Sequence, residues 1–430
     1  MRGGLYPSLV PGAIMFVVAG CGTPKNPTAA TSGNATHSDS RNDGSNNNIA
    51  DEASWLAVAA VSTVHQGSPV SDEEAKRVGN AIELAVEAGD VDVFCLQFDV
   101  AALAALIGSA FPEMTVDGVP FRTAMAERAQ PLLEKFAQRI VMSLGEQGSY
   151  QFIRVCDRPD GKRLLFRMQQ GDGAFTYHEI CLARRGKEVR AVDIYNWMIG
   201  QRISEGFQQF IAGALSASTK QRAKGGPWNA EVTHNAQQVA EMANALNRGE
   251  PERAIEIYAA LPESFQRLKP AMIVRVLALE QTDDPQYSTA IDEYRTAFPS
   301  DANLDFLSFH SYFSRGDYRS AEGAIDRVER EIGADSALQL WRARLSLAEE
   351  KIDDADRLVA EVLAANPRDL PAHWFLVDLS LQQREFKRTA SILTKIRDDF
   401  RIELDDLTEL PAYSEFIRSQ EYADWLKSLK

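Results

Sequence analysis

Cysteine and histidine are scarce in this sequence, with four and six residues among 430, and neither a CxxC pair nor a Cys/His cluster occurs. Structural zinc sites need such clusters, so we expect no metal and no cofactor. No serine or cysteine stands in a recognisable nucleophile motif, and no glycine-rich phosphate loop follows a strand and opens a helix. The sequence therefore predicts no catalytic residues, and we expect a protein that is not an enzyme.

Long apolar runs and positive charge are also scarce. Beyond the first 20 residues, no segment approaches the ~20 apolar residues that cross a bilayer, which argues against a membrane-spanning helix there. The formal net charge is −15, and residues 226–430 contain 37 acidic and 24 basic residues. Acidic surfaces repel nucleic-acid phosphates and anionic lipid headgroups. We expect no nucleic-acid partner, and any membrane attachment must come from something other than charge.

The first residues combine a short apolar run with a cysteine. Residues 13–18 are apolar, and the small residues Ala19 and Gly20 directly precede Cys21. This arrangement resembles a bacterial lipoprotein signal peptide, which implies cleavage before Cys21 and acylation of its thiol. The alternative is an ordinary signal peptide with a chance cysteine. Because Gly22 replaces the aspartate that favours retention at the inner membrane, the resemblance implies a lipid anchor in the outer membrane, facing the periplasm.

Composition and periodicity divide the chain into five parts. Residues 21–50 are rich in Ser, Asn, Gly and Thr without an apolar period, which predicts a flexible tether. Hydrophobic periodicity begins after it and changes character near residue 226. The predicted parts are a signal peptide 1–20, a tether 21–50, an α+β domain 51–217, a helical repeat region 226–400 and a C-terminal cap 401–430.

In the α+β domain, the apolar period changes from that of helices to that of strands. Helices are predicted first and last, at 51–65, 71–88, 96–111, 119–144 and 204–215, and strands between them, at 150–157, 162–169, 175–183 and 188–197. Ser71 and Glu74 form a capping-box pattern. We expect helices on one face of an antiparallel meander and water on the other. This layout resembles the nuclear transport factor two-like superfamily, without a motif match.

The turns between these strands predict their register. A turn at Asp160 and Gly161 pairs Ile153 with Met168, and the next turn places Leu164 beside Ile180. The expected apolar face carries Ile153, Val155, Leu164, Phe166, Met168, His178, Ile180 and Leu182. The expected wetter face carries Arg154, Cys156, Arg163, Arg167, Glu179 and Cys181.

His178 and Asp193 are the one pair in the sheet that could support chemistry. A turn at Gly186 and Lys187 sets Ile180 opposite Asp193 and brings His178 diagonally within its reach. Such a pair could serve as a general acid or base in a small-molecule pocket. The alternative is a buried structural pair. A one-residue shift of register would move Asp193 to the other face.

Small residues recur through the second half at a nearly constant spacing. The steps between them are 36, 31, 34 and 34 residues, and a large apolar residue follows each by four positions. The small residues are Ala254, Ala290, Ala321, Ala355 and Thr389. The pattern resembles tetratricopeptide repeats, whose period is 34 residues, and implies an all-α superhelix. Residues 401–430 are predicted to cover its last apolar edge.

In that family, the first helix of each unit lines a concave groove. Carried over position by position, the resemblance assigns the groove residues Phe306, His310, Phe313, Leu340, Arg344, Leu347, Trp374 and Asp378. Aromatic and charged side chains together would form a surface for a protein partner, and the alternative is that many of them are core. The sequence therefore favours a lipid-anchored periplasmic scaffold that binds a protein, with a ligand or enzymatic pocket in the α+β domain as the alternative.

Overall fold

The computed structural model describes residues 69–430 except 117, 146, 171–173, 218–229, 283, 300, 302, 403, 405 and 429–430. The expected signal peptide, the lipidation site Cys21, the tether and the helix at 51–65 lie outside the described residues. In the described part, helices come first, an antiparallel sheet lies in the middle, and helices make up the C-terminal half. This arrangement agrees with an α+β layout followed by an all-α one.

Four helices precede the sheet: α1 Asp72–Glu87, α2 Val91–Leu96, α3 Val100–Ser109 and α4 Phe121–Leu144. Helix α1 begins at the predicted capping box, in which Ser71 and Glu74 bond to each other's backbone N–H groups. The helix predicted at 96–111 is observed as the shorter α3, which begins after its N-cap Asp99. Helix α2, whose N-cap is Asp90, was not predicted. A two-stranded ribbon, β1 Thr115–Val116 and β2 Val119–Pro120, lies before α4.

The sheet is a meander of five consecutive antiparallel strands. Its strands are β3 Ser149–Arg158, β4 Gly161–Gln169, β5 Phe175–Arg185, β6 Glu188–Asn196 and β7 Gln201–Arg202. The four predicted strands are confirmed, and the predicted pairing of Leu164 with Ile180 is observed. Helix α5, Ile203–Ala217, follows the sheet.

The first hairpin has a different register from the predicted one. Arg158 pairs with Gly161, so the turn residues are Pro159 and Asp160, and Tyr150 rather than Ile153 lies opposite Met168. Proline presets the backbone dihedral that the first turn position requires. A bulge at Ile153 adds a further one-residue shift within β3.

One face of the sheet packs on the first helices, as predicted. Phe166 stacks on Tyr150 with the ring centroids 4.8 Å apart, and Phe136 of α4 lies 5.6 Å from the His178 ring. Gly79 of α1 has no room for a side chain, because a Cβ there would lie 2.9 Å from the Phe152 ring. This glycine therefore permits α1 to approach β3 closely.

The opposite face is not the wetter face that the alternating pattern predicts. Arg167 and Glu179 are only 2% and 1% exposed, because helices from the C-terminal half cover them. Cys156 and Cys181, on strands β3 and β5, are free thiols. Cys95 on α2 is also a free thiol. The sheet is therefore a middle layer between two helical regions.

The C-terminal half consists of helices that pair with their neighbours along the chain. The longer helices are α6 Ala230–Asn247, α7 Pro251–Ala260, α9 Lys269–Gln281, α10 Tyr287–Ala297, α11 Asn303–Ser314, α12 Tyr318–Ile332, α13 Ser336–Ala348, α14 Ile352–Ala365, α15 Leu370–Gln382 and α16 Phe386–Phe400. A short helix α8, Glu263–Gln266, lies between α7 and α9. The five small residues of the repeat pattern lie on the second helices of the pairs, and each is at most 2% exposed.

The last described residues pack on the final helix pair. Two short helices, α17 Ser414–Ile417 and α18 Gln420–Ser428, follow two 3-10 turns. Phe416 and Trp425 join a core cluster with Leu393 of α16, and the Trp425 indole donates to Thr394 Oγ1 at 3.0 Å. This segment covers the apolar side of α16, which is the place where the sequence predicts a cap.

Candidate functional site

Aromatic side chains join the middle of the sheet to the first helices of two C-terminal pairs. Phe175 and Tyr177 project from β5 towards Phe306 of α11, with ring centroids 5.6 and 5.9 Å away. Trp341 of α13 lies 4.8 Å from Phe175 and stacks on Phe309 at 4.0 Å. All five rings are at least nine-tenths buried. The sheet and the helices thus share one apolar core at this point.

Asp335 lies at the polar centre of this contact and caps the start of α13. It accepts hydrogen bonds from Arg167 Nη1 at 2.6 Å, from the Tyr177 hydroxyl at 2.8 Å and from the Ala337 backbone at 2.9 Å. The side chains of Arg167 and Asp335 are each 3% exposed. Burial and the carboxylate of Asp335 hold the pKa of Tyr177 well above its usual value. Arg167 and Asp335 therefore form a buried ion pair between the sheet and helix α13.

Further arginines of the sheet hold the loop between α12 and α13. Arg154 donates to the carbonyl of Ala334, and Arg158 donates to the carbonyl of Glu331 at 2.8 Å. Arg158 also bonds to the buried carboxylate of Glu179 at 2.6 Å. Gly333 in this loop has a φ of 82°, and a side chain there would collide with the Arg154 guanidinium. Polar contacts therefore hold this loop against the sheet.

A second polar contact joins the end of the sheet to the helices α9–α11. Lys269 donates to the carbonyl of Gly200 and forms an ion pair with Asp301. Burial lowers the pKa of Lys269, although Asp301 opposes the shift. Gly200 has a φ of 68°, and a Cβ there would lie 2.4 Å from Asn303. The sheet therefore contacts the helical region at two separate places.

Several residues that the repeat resemblance assigns to a partner surface are buried or partly buried in the structure. Phe306 is fully buried against the sheet, so it is not accessible to a partner in this structure. Leu340 is 6% exposed and belongs to a core cluster between α13, α14 and α15. Phe313 is partly buried, with its ring 5.9 Å from Phe309 and from Tyr318. The side chain of His310 lies outside the described residues.

We call three of the predicted residues the open surface: Asp378, which is exposed, and Arg344 and Trp374, which are half-buried, as Phe313 and Leu347 also are. Trp374 and Asp378 are one turn apart on α15, so they share a face of that helix, and Arg344 of α13 acts electrostatically on Asp378. Asp378 is reached by solvent although neighbouring helices crowd it. That crowding raises the pKa of Asp378 to about 6, while the positive charge of Arg344 opposes the shift. The open surface thus combines an aromatic ring with both signs of charge.

A cleft of about 500 Å³ lies next to the open surface, between the sheet and the segment that enters α15. Its sheet side contains Gln151 of β3 and Gln169 of β4, and its helical side contains Asp369, the N-cap of α15. Its volume is within the ~300–1,000 Å³ that is usual for ligand sites. No sequence pattern indicated this cleft, because residues far apart in the chain form it.

The expected pair of His178 and Asp193 does not form. A bulge at Val192 shifts the register, so Asp193 lies opposite Cys181 and His178 lies opposite Asn196. Cys181 is three residues from His178 along β5, which places the two expected partners on opposite faces of the sheet. The hypothesis of a shared pocket loses its geometric basis in this register.

Each of the two residues has its own buried surroundings. His178 Nδ1 lies 3.1 Å from the Tyr150 hydroxyl, and burial lowers the pKa of His178 to about 3. Asp193 accepts from the backbone of Ile194 and from Ser204, and burial raises the pKa of Asp193 to about 6. The cavity beside Asp193 has a volume of about 20 Å³, which is enough for a water molecule.

The described part of residues 69–430 contains neither a candidate metal site nor a candidate membrane-spanning helix. No three His, Cys, Asp or Glu side chains come together in a way that could hold a metal ion. Among these same residues, no helix has both the length and the apolar character needed to cross a bilayer. In comparisons with protein-family models, with curated proteins and with solved structures, no match to this chain was found.

Proposed function

We propose that this protein is a lipid-anchored scaffold of the bacterial envelope that binds a polypeptide partner on its open surface. The anchor would be an acylated Cys21, and the location would be the outer membrane, facing the periplasm. Support for the anchor comes from the small residues before Cys21 and from the apolar run that precedes them. Two acyl chains would make such attachment stable without a membrane-spanning helix.

We further propose that the helical pairs belong to a tetratricopeptide-like superhelix. The support is the spacing of close to 34 residues, together with the burial of a small residue on the second helix of each pair. In such an array, the first helices line the inner face. Phe306 and Trp341, on two first helices, contact the sheet, while Trp374 and Asp378, on the last one, stay accessible.

The single observation that carries the proposal is the combination, on α13 and α15, of the exposed Asp378 with the half-buried Arg344 and Trp374. An aromatic residue and opposite charges, all solvent-accessible on a firmly packed helical frame, are features of protein-binding surfaces. The sheet leaves the partner no room at Phe306. Binding would therefore be limited to the last two first helices.

Site-specific photo-cross-linking in the cells that produce the protein tests this proposal. A photoreactive amino acid replaces Asp378 in one variant of the full chain and Glu361, which is exposed on α14, in the matched control. We expect one discrete polypeptide adduct at position 378 and none at 361. The absence of an adduct at 378, or equal labelling at both positions, would overturn the assignment of the surface. Labelled palmitate should be incorporated into the protein and lost in Cys21→Ala.

A further inference from the structure

The cleft beside the open surface is lined by polar groups from several elements. It lies where β3 begins and β4 ends, and most of its other residues come from the last turns of α1 and from the segment before α15. Carboxamides recur in the lining, at Gln147, Gln151, Gln169, Gln170 and Asn366. A carboxamide can donate and accept hydrogen bonds at once. The lining therefore suits a ligand that has many donors and many acceptors.

Charges of both signs line the cleft. Glu83, Glu87 and Asp369 are acidic, whereas Arg167 and Arg368 are basic. A cationic ligand would meet the two guanidinium groups, and an anionic ligand would meet the three carboxylates. This mixture favours a ligand that has no net charge.

Arg167 lines the cleft and keeps one hydrogen-bond donor unused, although its residue is only 2% exposed. Its Nη1 donates to Asp335 and Ser336, and its Nη2 donates to Gln151 at 2.8 Å. Its Nε is buried and finds no acceptor among the described residues. A buried donor without an acceptor is costly for the fold. An oxygen atom of a ligand would supply the missing acceptor.

Asp369 is the complementary group on the helical side of the cleft. It is 6% exposed, and it accepts the backbone N–H of Ala372 as the N-cap of α15. Burial raises the pKa of Asp369, and the positive charge of Arg167 opposes this shift, so the two groups act on each other. Arg167 nevertheless forms its ion pair with Asp335 and not with Asp369. A hydroxyl group between them could accept from the guanidinium and donate to the carboxylate.

A saccharide combines these properties. Each of its hydroxyl groups both donates and accepts, and the sugar ring presents them in several directions without a net charge. An acetamido group on the ring would add an N–H and a C=O, which match the carboxamides of Gln151 and Gln169. Pro371 and Phe400 are apolar members of the lining that could contact the C–H groups of the ring. The volume of about 500 Å³ is suitable for a short oligosaccharide.

A polypeptide fits this lining less well. The usual way for an extended peptide to bind beside a sheet is to add a strand to an edge. Strand β3 is an edge of the five-stranded sheet, but the backbone N–H of Phe152 on this strand already donates to Glu83. A peptide would have to displace that carboxylate, whereas a sugar needs only the side chains of the cleft.

We propose that the cleft binds a neutral oligosaccharide with N-acetyl groups, with one hydroxyl between Arg167 and Asp369 and an acetamido group at Gln151 and Gln169. This site is separate from the polypeptide surface of the proposed function and does not depend on it. The ligand class follows from the mixed charge, the unused donor of Arg167 and the carboxamides. A second binding activity of this kind would let an envelope scaffold hold a polysaccharide as well as a protein.

Fluorescence anisotropy with labelled chitotetraose tests this inference on the full-length protein purified in detergent. We expect saturable binding, and unlabelled cellotetraose, which has the same linkage without acetamido groups, should compete about tenfold more weakly than unlabelled chitotetraose. Asp369→Asn should weaken binding about tenfold, because an amide is a weaker acceptor than a carboxylate. Gln169→Leu should weaken it about fivefold, since it removes a partner of the acetamido group without changing the charge.

The matched control is Asp317→Asn, because Asp317 is also the N-cap of a helix, α12, and is not part of the lining of the cleft. This variant should leave chitotetraose binding unchanged. Asparagine caps helices about as well as aspartate, so Asp369→Asn should keep the start of α15, and circular dichroism checks the fold of each variant. Equal losses of binding in the two variants would mean that the change of cap matters instead of a contact with the sugar, and would overturn the inference.

Three further results would also overturn it. Absence of saturable chitotetraose binding would leave the space between Arg167 and Asp369 to water alone. Binding of a lysine–serine or glutamate–serine peptide in place of the sugar, weakened by Asp369→Asn, would assign the cleft to a polypeptide. Chitotetraose binding that is unchanged in both Asp369→Asn and Gln169→Leu would place the sugar elsewhere on the protein.

Discussion

Along the C-terminal half, the first helices of the pairs lie in two different surroundings, which we call the closed end and the open end. At the closed end, Phe306, Asp335 and Trp341 are buried under the sheet. At the open end, Arg344 and Asp378 remain accessible to solvent. Both ends place aromatic and charged residues at corresponding positions, so the sequence pattern alone cannot separate them. What separates them is whether another part of the same chain covers the helix.

The residues that cover the closed end lie more than one hundred positions away from it in the sequence. Tyr177 and Arg167 reach Asp335 from neighbouring positions on β5 and β4. Their alternation along the strands brings an aromatic ring and a guanidinium to the same face. A polar strand face is therefore not always a wet one, because hydrogen-bonded charges can be buried when their partners come from another layer.

The largest expected effect comes from removing the carboxylate at the closed end. Asp335→Ala leaves the Arg167 guanidinium buried without its counter-charge and removes the acceptor of the Tyr177 hydroxyl. We expect the free energy of unfolding to fall by about 3–5 kcal/mol. Urea denaturation followed by circular dichroism measures this change.

The same substitution at the open end provides the comparison. Asp378→Ala removes an accessible carboxylate, so we expect a change within about 0.5 kcal/mol. Similar effects at positions 335 and 378 would mean that the two ends do not differ in the way the structure shows.

A slightly smaller effect is expected from the aromatic core between the sheet and α11. Phe306→Ala creates a cavity among Phe175, Tyr177 and Trp341, and should cost about 3–4 kcal/mol, since the neighbouring rings can only partly fill the space. Thermal unfolding by calorimetry and near-ultraviolet circular dichroism would report the loss of stability and of aromatic packing.

Trp374→Ala is the matched truncation at the open end, where the ring is only partly buried. We expect it to cost clearly less than Phe306→Ala and to weaken partner binding. If Trp374→Ala were the more destabilising of the two, the open surface would be part of the core instead of a binding surface.

Local patterns predicted much of the fold. The capping box at Ser71 and the pairing of Leu164 with Ile180 depend on residues close in sequence, and both are observed. The bulges at Ile153 and Val192 were not predicted, because each inserts one residue without a glycine or proline to mark it. The second bulge alone separates His178 from Asp193.

The candidate site was predicted less completely than the fold. The repeat spacing indicated the exposed Asp378 and the half-buried Arg344 and Trp374, but also Phe306, which the sheet covers. One signal was present: arginines alternating with apolar residues on β4 need buried anionic partners if a second layer covers them. The sequence did not reveal that layer. The cleft around Gln169 depends on long-range packing and left no local signal.

A further expected effect is a pH dependence of stability that separates a fully enclosed carboxyl group from an accessible one. Burial raises the pKa of Asp193 from 3.8 to about 6, so the fold favours its protonated form. The resulting stability is fully present below about pH 4 and is lost as the pH rises through 6. Two pKa units correspond to at most about 3 kcal/mol. Asp193→Asn, which has no charge to bury, should remove this slope from urea midpoints measured between pH 4 and pH 7.

Asp378→Asn is the matched variant, because burial also raises the pKa of Asp378. Asp378 is exposed to solvent, whereas Asp193 is 1% exposed, so solvent screening reduces the contribution of the Asp378 shift to stability. We expect Asp378→Asn to remove only a small part of the slope. A larger loss of slope at position 378 than at 193 would place the enclosed carboxylate at the open end and reverse the comparison.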